Sequence, residues 1–240
     1  MSRRWFVSVV MVVSLTAALG CQPTESGGGT SPPGPANFRV ANAEIDGLAF
    51  DVCAEGQVVL ENSRFGNFTA YAEVDSGTVQ LNRAAAGSDC DDFINEFFGP
   101  GVDVRLDEDT DNTLVLLADG ESGFQLEDDN SPTPAGRARV RLINASEDSL
   151  SLTVQEAGGT ILFLLVRYDE PGDYEYIDVV AGTYNLTVTP QAGEMTPFEF
   201  ADVDFEAGNV YTLFAVGRVD GEGEAFDLVV ETDASPGEQE

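Results

Sequence analysis

The chain has 240 residues, with 43 acidic side chains against 11 basic ones, a formal charge of −32, and every basic residue is an arginine. Having neither histidine nor lysine, it lacks the imidazole of a Ser-His-Asp or Cys-His pair, an imidazole metal ligand, and the amine of a Schiff base, a P-loop or a lysine–asparagine isopeptide bond. A charge of this size repels nucleic acid and anionic lipid headgroups, so neither is expected as a direct partner.

Residues 1–20 read as a signal peptide. Arg3 and Arg4 give a positive start, and Trp5 to Leu19 is an apolar run of 15 residues, shorter than the roughly 20 that a membrane-spanning helix needs. Ala18-Leu19-Gly20-Cys21 resembles the processing box of bacterial lipoproteins, although Leu19 is bulkier than the small residue usual there. That resemblance implies that Cys21 is the lipidated first residue of the mature chain, anchored to a membrane without spanning it. Gln22 is similar to the residue of lipoproteins sorted onward, so the expected address is the bacterial outer membrane or cell surface. Residues 21–36 form a tether, because Gln22 to Pro35 (QPTESGGGTSPPGP) offers nothing to pack and mixes flexible glycine with stiff proline.

From residue 37 onward the pattern has period two. Leu48, Phe50 and Val52 alternate with less apolar neighbours, and glycines at 47, 56, 66, 77 and 87 mark turns. This spacing predicts an all-β fold with a first antiparallel, Ig-like β-sandwich over 37–130, of seven or eight short strands. Cys53 and Cys90 are the only cysteines left once Cys21 is lipidated; as a pair in an exported domain they predict a disulfide, with two free thiols as the alternative. Asp91 to Phe98 (DDFINEFF) puts Phe93, Ile94, Phe97 and Phe98 on one helical face before Gly99-Pro100, which predicts a short helix or a packed loop. Asp107, Asp109 and Asp111 alternate in a tight loop, the arrangement that a hard oxygen-seeking ion such as Ca²⁺ uses. Only the first half of the loop fits a calcium-loop pattern, since Asn112 and Ala118 stand where glycine and a carboxylate are wanted. The plainer reading is a solvated acidic turn.

A proline-containing seam at Asn130 to Gly136 (NSPTPAG) separates the first sandwich from a second over 137–233, which a short acidic tail at 234–240 follows. Arg137, Arg139 and Arg141 alternate along one strand face, either as an anion-binding stripe or as partners of carboxylates on neighbouring strands. Leu150, Leu152 and Val154, then Tyr184, Leu186 and Val188, repeat the period-two alternation. Ile161 to Val166 (ILFLLV) is apolar on both faces, so it reads as a central strand covered on both sides or as an inter-unit or subunit interface.

The halves repeat each other. Arg39-Val40-Ala41-Asn42-Ala43 returns as Arg141-Leu142-Ile143-Asn144-Ala145 at a spacing of 102, and Gly77-Thr78-Val79-Gln80-Leu81 answers Gly182-Thr183-Tyr184-Asn185-Leu186 at 105. Those Arg-containing segments, each followed by a short strand, together with Val180 to Val188 (VAGTYNLTV) and Glu206 to Gly217 (EAGNVYTLFAVG), resemble the DUF4397 family of bacterial exported proteins. The resemblance covers about residues 37–232, is clearer in the second half than in the first, and implies an exported β-sandwich. Asn42 and Asn144 stand where the family's motif has histidine, so any role of that histidine is lost. The family has no settled biochemical role. The expected function is a lipid-anchored, non-catalytic binding or structural module of the cell envelope, with a protein or glycan partner. A calcium-dependent adhesin or glycan-binding module is the alternative, and a hydrolase using paired carboxylates stands below it.

Overall fold

Alternating apolar side chains and turn residues with positive φ give eighteen strands and no α-helix among the described residues of this computed structural model, which are 33–96, 103–191 and 196–236. The first unit contains β1 (Pro35–Asn42), β2 (Phe50–Ala54), β3 (Gln57–Ser63), β4 (Ala72–Asp75), β5 (Gly77–Val79), β6 (Leu81–Ala85), β7 (Phe93–Glu96), β8 (Val104–Leu106), β9 (Asp111–Leu116) and β10 (Gly123–Glu127). The second contains β11 (Arg137–Asn144), β12 (Ser151–Glu156), β13 (Ile161–Arg167), β14 (Ile177–Val180), β15 (Gly182–Pro190), β16 (Phe198–Phe205), β17 (Val210–Val216) and β18 (Asp227–Ala234).

Both units follow one plan. A sheet of order β10-β9-β1-β4 faces one of order β3-β2-β6-β7, just as β14-β11-β17-β18 faces β13-β12-β15-β16. Pairing is antiparallel throughout, except that β1 runs parallel to β9 and β11 parallel to β17. Alternation reports which face a residue takes but not strand direction. A parallel pair cannot be closed by a hairpin, and here most of each unit lies between the two strands.

The units differ in one hairpin. In the second, β15 and β16 form one ladder from Gly182↔Phe205 to Val188↔Phe198, with a single bulge between Tyr184 and Leu186. In the first, the corresponding pairing is split into β5–β8 and β6–β7, with a break at Gln80. The segment expected as a short helix or a packed loop over Asp91 to Phe98 lies in this split. Only Cys90–Asp92 makes a 3-10 turn, and Phe93–Glu96 is strand β7 paired to β6; Phe97 and Phe98 lie outside the described residues. An isolated two-turn helix is marginal, whereas pairing to β6 satisfies the same backbone groups. Cys90, at the start of this segment, is bonded to Cys53 of β2 with the Cα atoms 5.8 Å apart, as the cysteine count predicted.

The outer side of each unit is an ordinary sandwich core. Phe38, Val40, Leu114 and Leu116 meet Phe50, Val52, Leu60 and Leu81 in the first unit; Val140 and Leu142 meet Leu152, Val154, Leu186 and Val188 in the second. The strands β1, β9, β11 and β17 are also buried on their other faces, because the two Arg-bearing sheets stack on each other. Ala41, Ala43, Val115 and Leu117 of the first unit join the second unit's core, and Phe68 meets Phe214 edge-on with centroids 5.1 Å apart. The result is four β layers in series within one compact unit, Pro33–Glu240.

Ile161 to Val166 is not a central strand, nor does it lie between the units. It forms β13, the edge of its sheet, where Phe163 and Val166 point inward while Ile161, Leu164 and Leu165 are 51%, 63% and 42% exposed. A register shift opposite Val154, with Leu165 at φ 56°, sends two consecutive leucines outward, which breaks the two-faced burial expected from composition.

The disulfide closes a loop of sequence separation 37, a constraint worth about 4 kcal/mol in the chain-entropy account. The Cys53→Ser, Cys90→Ser double variant should lose stability of that order in urea unfolding. An unchanged midpoint and slope would contradict the bridge.

Candidate functional site

The largest fully buried side chains among the described residues are Arg39 and Arg141, at 2% and 1% exposure. Each sits on the inter-unit face of its sheet, and each reaches across to the other unit. Arg39 donates from Nε to Thr113 Oγ1 of its own sheet (2.9 Å) and from NH2 to Asp233 Oδ1 of the second unit (2.5 Å). Arg141 repeats the arrangement with Thr212 Oγ1 (2.9 Å) and Asp128 Oδ1 of the first unit (2.5 Å). Thr113 donates to Asp128 (2.7 Å) and Thr212 to Asp233 (2.7 Å), so each threonine links an arginine of its own unit to the carboxylate that the other arginine uses. Tyr71 OH donates to Asp128 (2.6 Å) and Tyr176 OH to Asp233 (3.0 Å). The rings also cover the guanidiniums, with Arg39 4.8 Å from the Tyr71 centroid and Arg141 4.8 Å from that of Tyr176.

All four charged side chains are essentially sealed from solvent. Burial by itself would lower the arginine pKa values. The surrounding carboxylates, chiefly Asp233 for Arg39 and Asp128 for Arg141, outweigh it and hold both above the ordinary value. Burial raises Tyr71 and Tyr176 well above the ordinary tyrosine range, and Asp128 and Asp233 push the same way. Two cations and two anions cancel, and every carboxylate has several donors. The cluster locks two faces together and holds no reactive group ready.

Of the candidate site residues singled out from sequence, Arg141 alone falls in this cluster. Cys21 lies outside the described residues. Arg141 belongs to the buried cluster, while Arg139 pairs with Asp129 (2.8 Å) and Asp178, and Arg137 donates to the Asp178 carbonyl. Two of the three arginines, Arg139 and Arg141, therefore meet carboxylates, and Arg137 a backbone carbonyl. Asp107, Asp109 and Asp111 are not brought together. Asp107 accepts from Arg105, the Asp109 backbone N–H donates to the Pro35 carbonyl, and the two oxygens of Asp111 accept from Asn37 and Asn130. Among the described residues no three carboxylate or cysteine groups gather closely enough to hold a metal ion.

Sequence reasoning missed Arg83. It faces Val52 in the ladder between β2 and β6, where the second unit has Val188 facing Val154. Its guanidinium donates to Glu44 (3.1 Å) and the Gly120 carbonyl (2.6 Å) and lies 5.1 Å from the Phe50 ring. Burial lowers its pKa, with Glu44 and Glu121 opposing. It floors a cavity of about 370 Å³ that Glu44, Asp46, Leu48 and Phe50 also line. Aligning the two halves strand by strand, with an arginine set against a core valine, was the available signal.

The family model described as "Domain of unknown function (DUF4397)" matches residues 36–155, through the first unit and into β12 of the second. The motifs at 180–188 and 206–217 lie beyond that span. No curated protein matches the chain. Among solved structures, the C-terminal domain of AlgF from P. aeruginosa is 19% identical, with 42% of this chain and 99% of that one covered and a TM-score of 0.29. The Bacillus anthracis TIE protein is 13% identical, with 77% and 34% covered and a TM-score of 0.23. At such scores neither likeness carries an argument.

Two expectations follow from the buried cluster. Asp128→Asn leaves Arg141 sealed without its main counter-charge and should cost about 3–5 kcal/mol. Combining it with Arg141→Met should recover part of that loss, and strictly additive losses in urea unfolding would contradict the coupling. In alkaline titration, Tyr71 and Tyr176 hold their protons in the folded chain beyond the unfolded value of 10.0. Their contribution to stability is complete below that pH and is lost as pH rises above it. Tyrosinate absorbance should therefore show Tyr71 and Tyr176, together with the buried Tyr174 whose pKa burial also raises, ionising only with unfolding. Six ordinary titrations would contradict the burial.

Proposed function

The chain belongs to the DUF4397 family, whose model covers half of it, and we propose that this member is a non-catalytic binding or structural module held at the bacterial outer membrane or cell surface by lipid on Cys21. The observation that carries the reading is the Cys53–Cys90 disulfide. It uses two of three cysteines and belongs to an oxidising compartment. The third is Cys21, which closes the segment resembling a lipoprotein processing box. The tether that follows would let the sandwiches stand clear of the membrane, and the surplus of carboxylates keeps them soluble and away from anionic headgroups.

The buried cluster supports the structural side of this reading, because the chain's strongest electrostatic chemistry is committed to holding the units together. What a partner can reach are the outer sheets, their edges and the loops.

Mass spectrometry of the mature N-terminus should find acyl chains on Cys21, and Cys21→Ser should move the protein from the membrane fraction to the soluble one. An unmodified Cys21, or a chain that begins elsewhere, would remove the anchor from the account.

A further inference from the structure

The two units provide a control for each other at one sheet edge. β3 and β13 are equivalent edge strands: both lie beside the strand that follows the Arg segment, and both carry a residue with positive φ at the same place, Asn62 (58°) and Leu165 (56°). In each, that residue's backbone N–H donates to the neighbouring strand, Asn62 to Asp51 Oδ1 and Leu165 to Thr153 Oγ1. The backbone is the same but the side chains are not. The first unit has Glu61 and Asn62 where the second has Leu164 and Leu165, and at the edge of the facing sheet it has Asp75 where the second has Val180, which is 60% exposed.

Each choice in the second unit works against stability and solubility. Asparagine tolerates the left-handed region, whereas a leucine there costs about 1–2 kcal/mol. Edge strands of soluble proteins are usually blunted with charge, as Glu61 blunts β3. β13 instead presents Ile161, Leu164 and Leu165 beside a row of backbone groups that pair with no further strand among the described residues. Fold maintenance does not require the two leucines, since β3 keeps the same backbone with Glu61 and Asn62 there, although Val58 is exposed where the second unit has Ile161.

We infer that β13 is a docking edge for an extended segment of another protein, one with alternating apolar side chains and basic flanks, which adds to the sheet as a further strand. Charge selects this occupant. Thr160 to Arg167 contains no acid, but Glu156 stands before it and Asp169, Glu170 and Asp173 after it, against the single cation Arg167, which Glu170 and Asp173 already engage. An apolar strip with acidic ends attracts a strand with basic ends. A second copy of this chain would bring acid against acid. The inference deepens the reading as a binding module and rests on it, but it does not depend on the lipid anchor.

The test titrates the intact chain against a fluorescent nonapeptide of alternating valine and threonine with two lysines at each end. Saturable binding is expected, weakened by salt, and lowered at least tenfold by Leu164→Glu with Leu165→Asn, which restores the residues of the first unit. The same peptide N-methylated along one edge should not bind, while circular dichroism confirms that the double variant is folded. Equal binding by the original and the double variant, equal binding of the N-methylated peptide, or no binding at all would each overturn the proposal. So would sedimentation showing a dimer that the double substitution dissociates. None of these outcomes bears on whether Cys21 is acylated.

Discussion

The structure depends on an exchange of buried charge. Arg39 makes its short contact with Asp233 and Arg141 with Asp128, each from the other unit, while the carboxylate of its own unit stays 3.9 or 4.0 Å away. A guanidinium sealed between sheets is tolerable only when paired and fully hydrogen-bonded, and here the partners come from the other half of the chain. Apolar contact around the cluster, such as Phe68 on Phe214, supplies non-directional attraction; the ion pairs fix how the faces register. Two sandwiches that would otherwise be joined only by the proline-containing seam thereby become adjacent layers of one body.

Much of this was legible in the sequence and some was not, for physical reasons. Period-two alternation gave the strands, and the turn glycines gave their boundaries. The repeated Arg segments marked equivalent strands, and Cys53 with Cys90 marked the bridge. Alternation assigns a face but not what covers it, so Arg141 could be placed beside Arg139 on one stripe without revealing that one is sealed and the other only partly covered. Tyr71 and Tyr176, like Asp128 and Asp233, are separated by 105 residues, the same spacing as Gly77 and Gly182. That shared offset was the sequence trace of the cluster. The short helix or packed loop expected at Asp91 to Phe98 gives way to strand β7 over Phe93–Glu96, because four residues with apolar spacing cannot distinguish a helical turn from a short strand that has a partner. Ile161 to Val166 misled because exposed leucines on an edge and buried leucines at a centre read alike.

Where the halves diverge, they do so in different places. The first unit breaks its long hairpin, adds the disulfide and puts Arg83 at a core position lining a small cavity; the second keeps its hairpin as one bulged ladder and makes an apolar edge. In the acidic loop at 107–111, read from sequence as a calcium-loop candidate or a solvated acidic turn, Asp111 accepts from Asn37 and Asn130. The faces that carry the cluster are alike in both units, and the divergence is confined to the outer sheets and edges. That division fits a scaffold joined through its centre with its variable chemistry on the outside.

Differential scanning calorimetry of the intact chain tests the central claim most directly. If the exchanged ion pairs make one cooperative body, the two units unfold in a single transition whose calorimetric and van't Hoff enthalpies agree. Two separable transitions, one per sandwich, would contradict it.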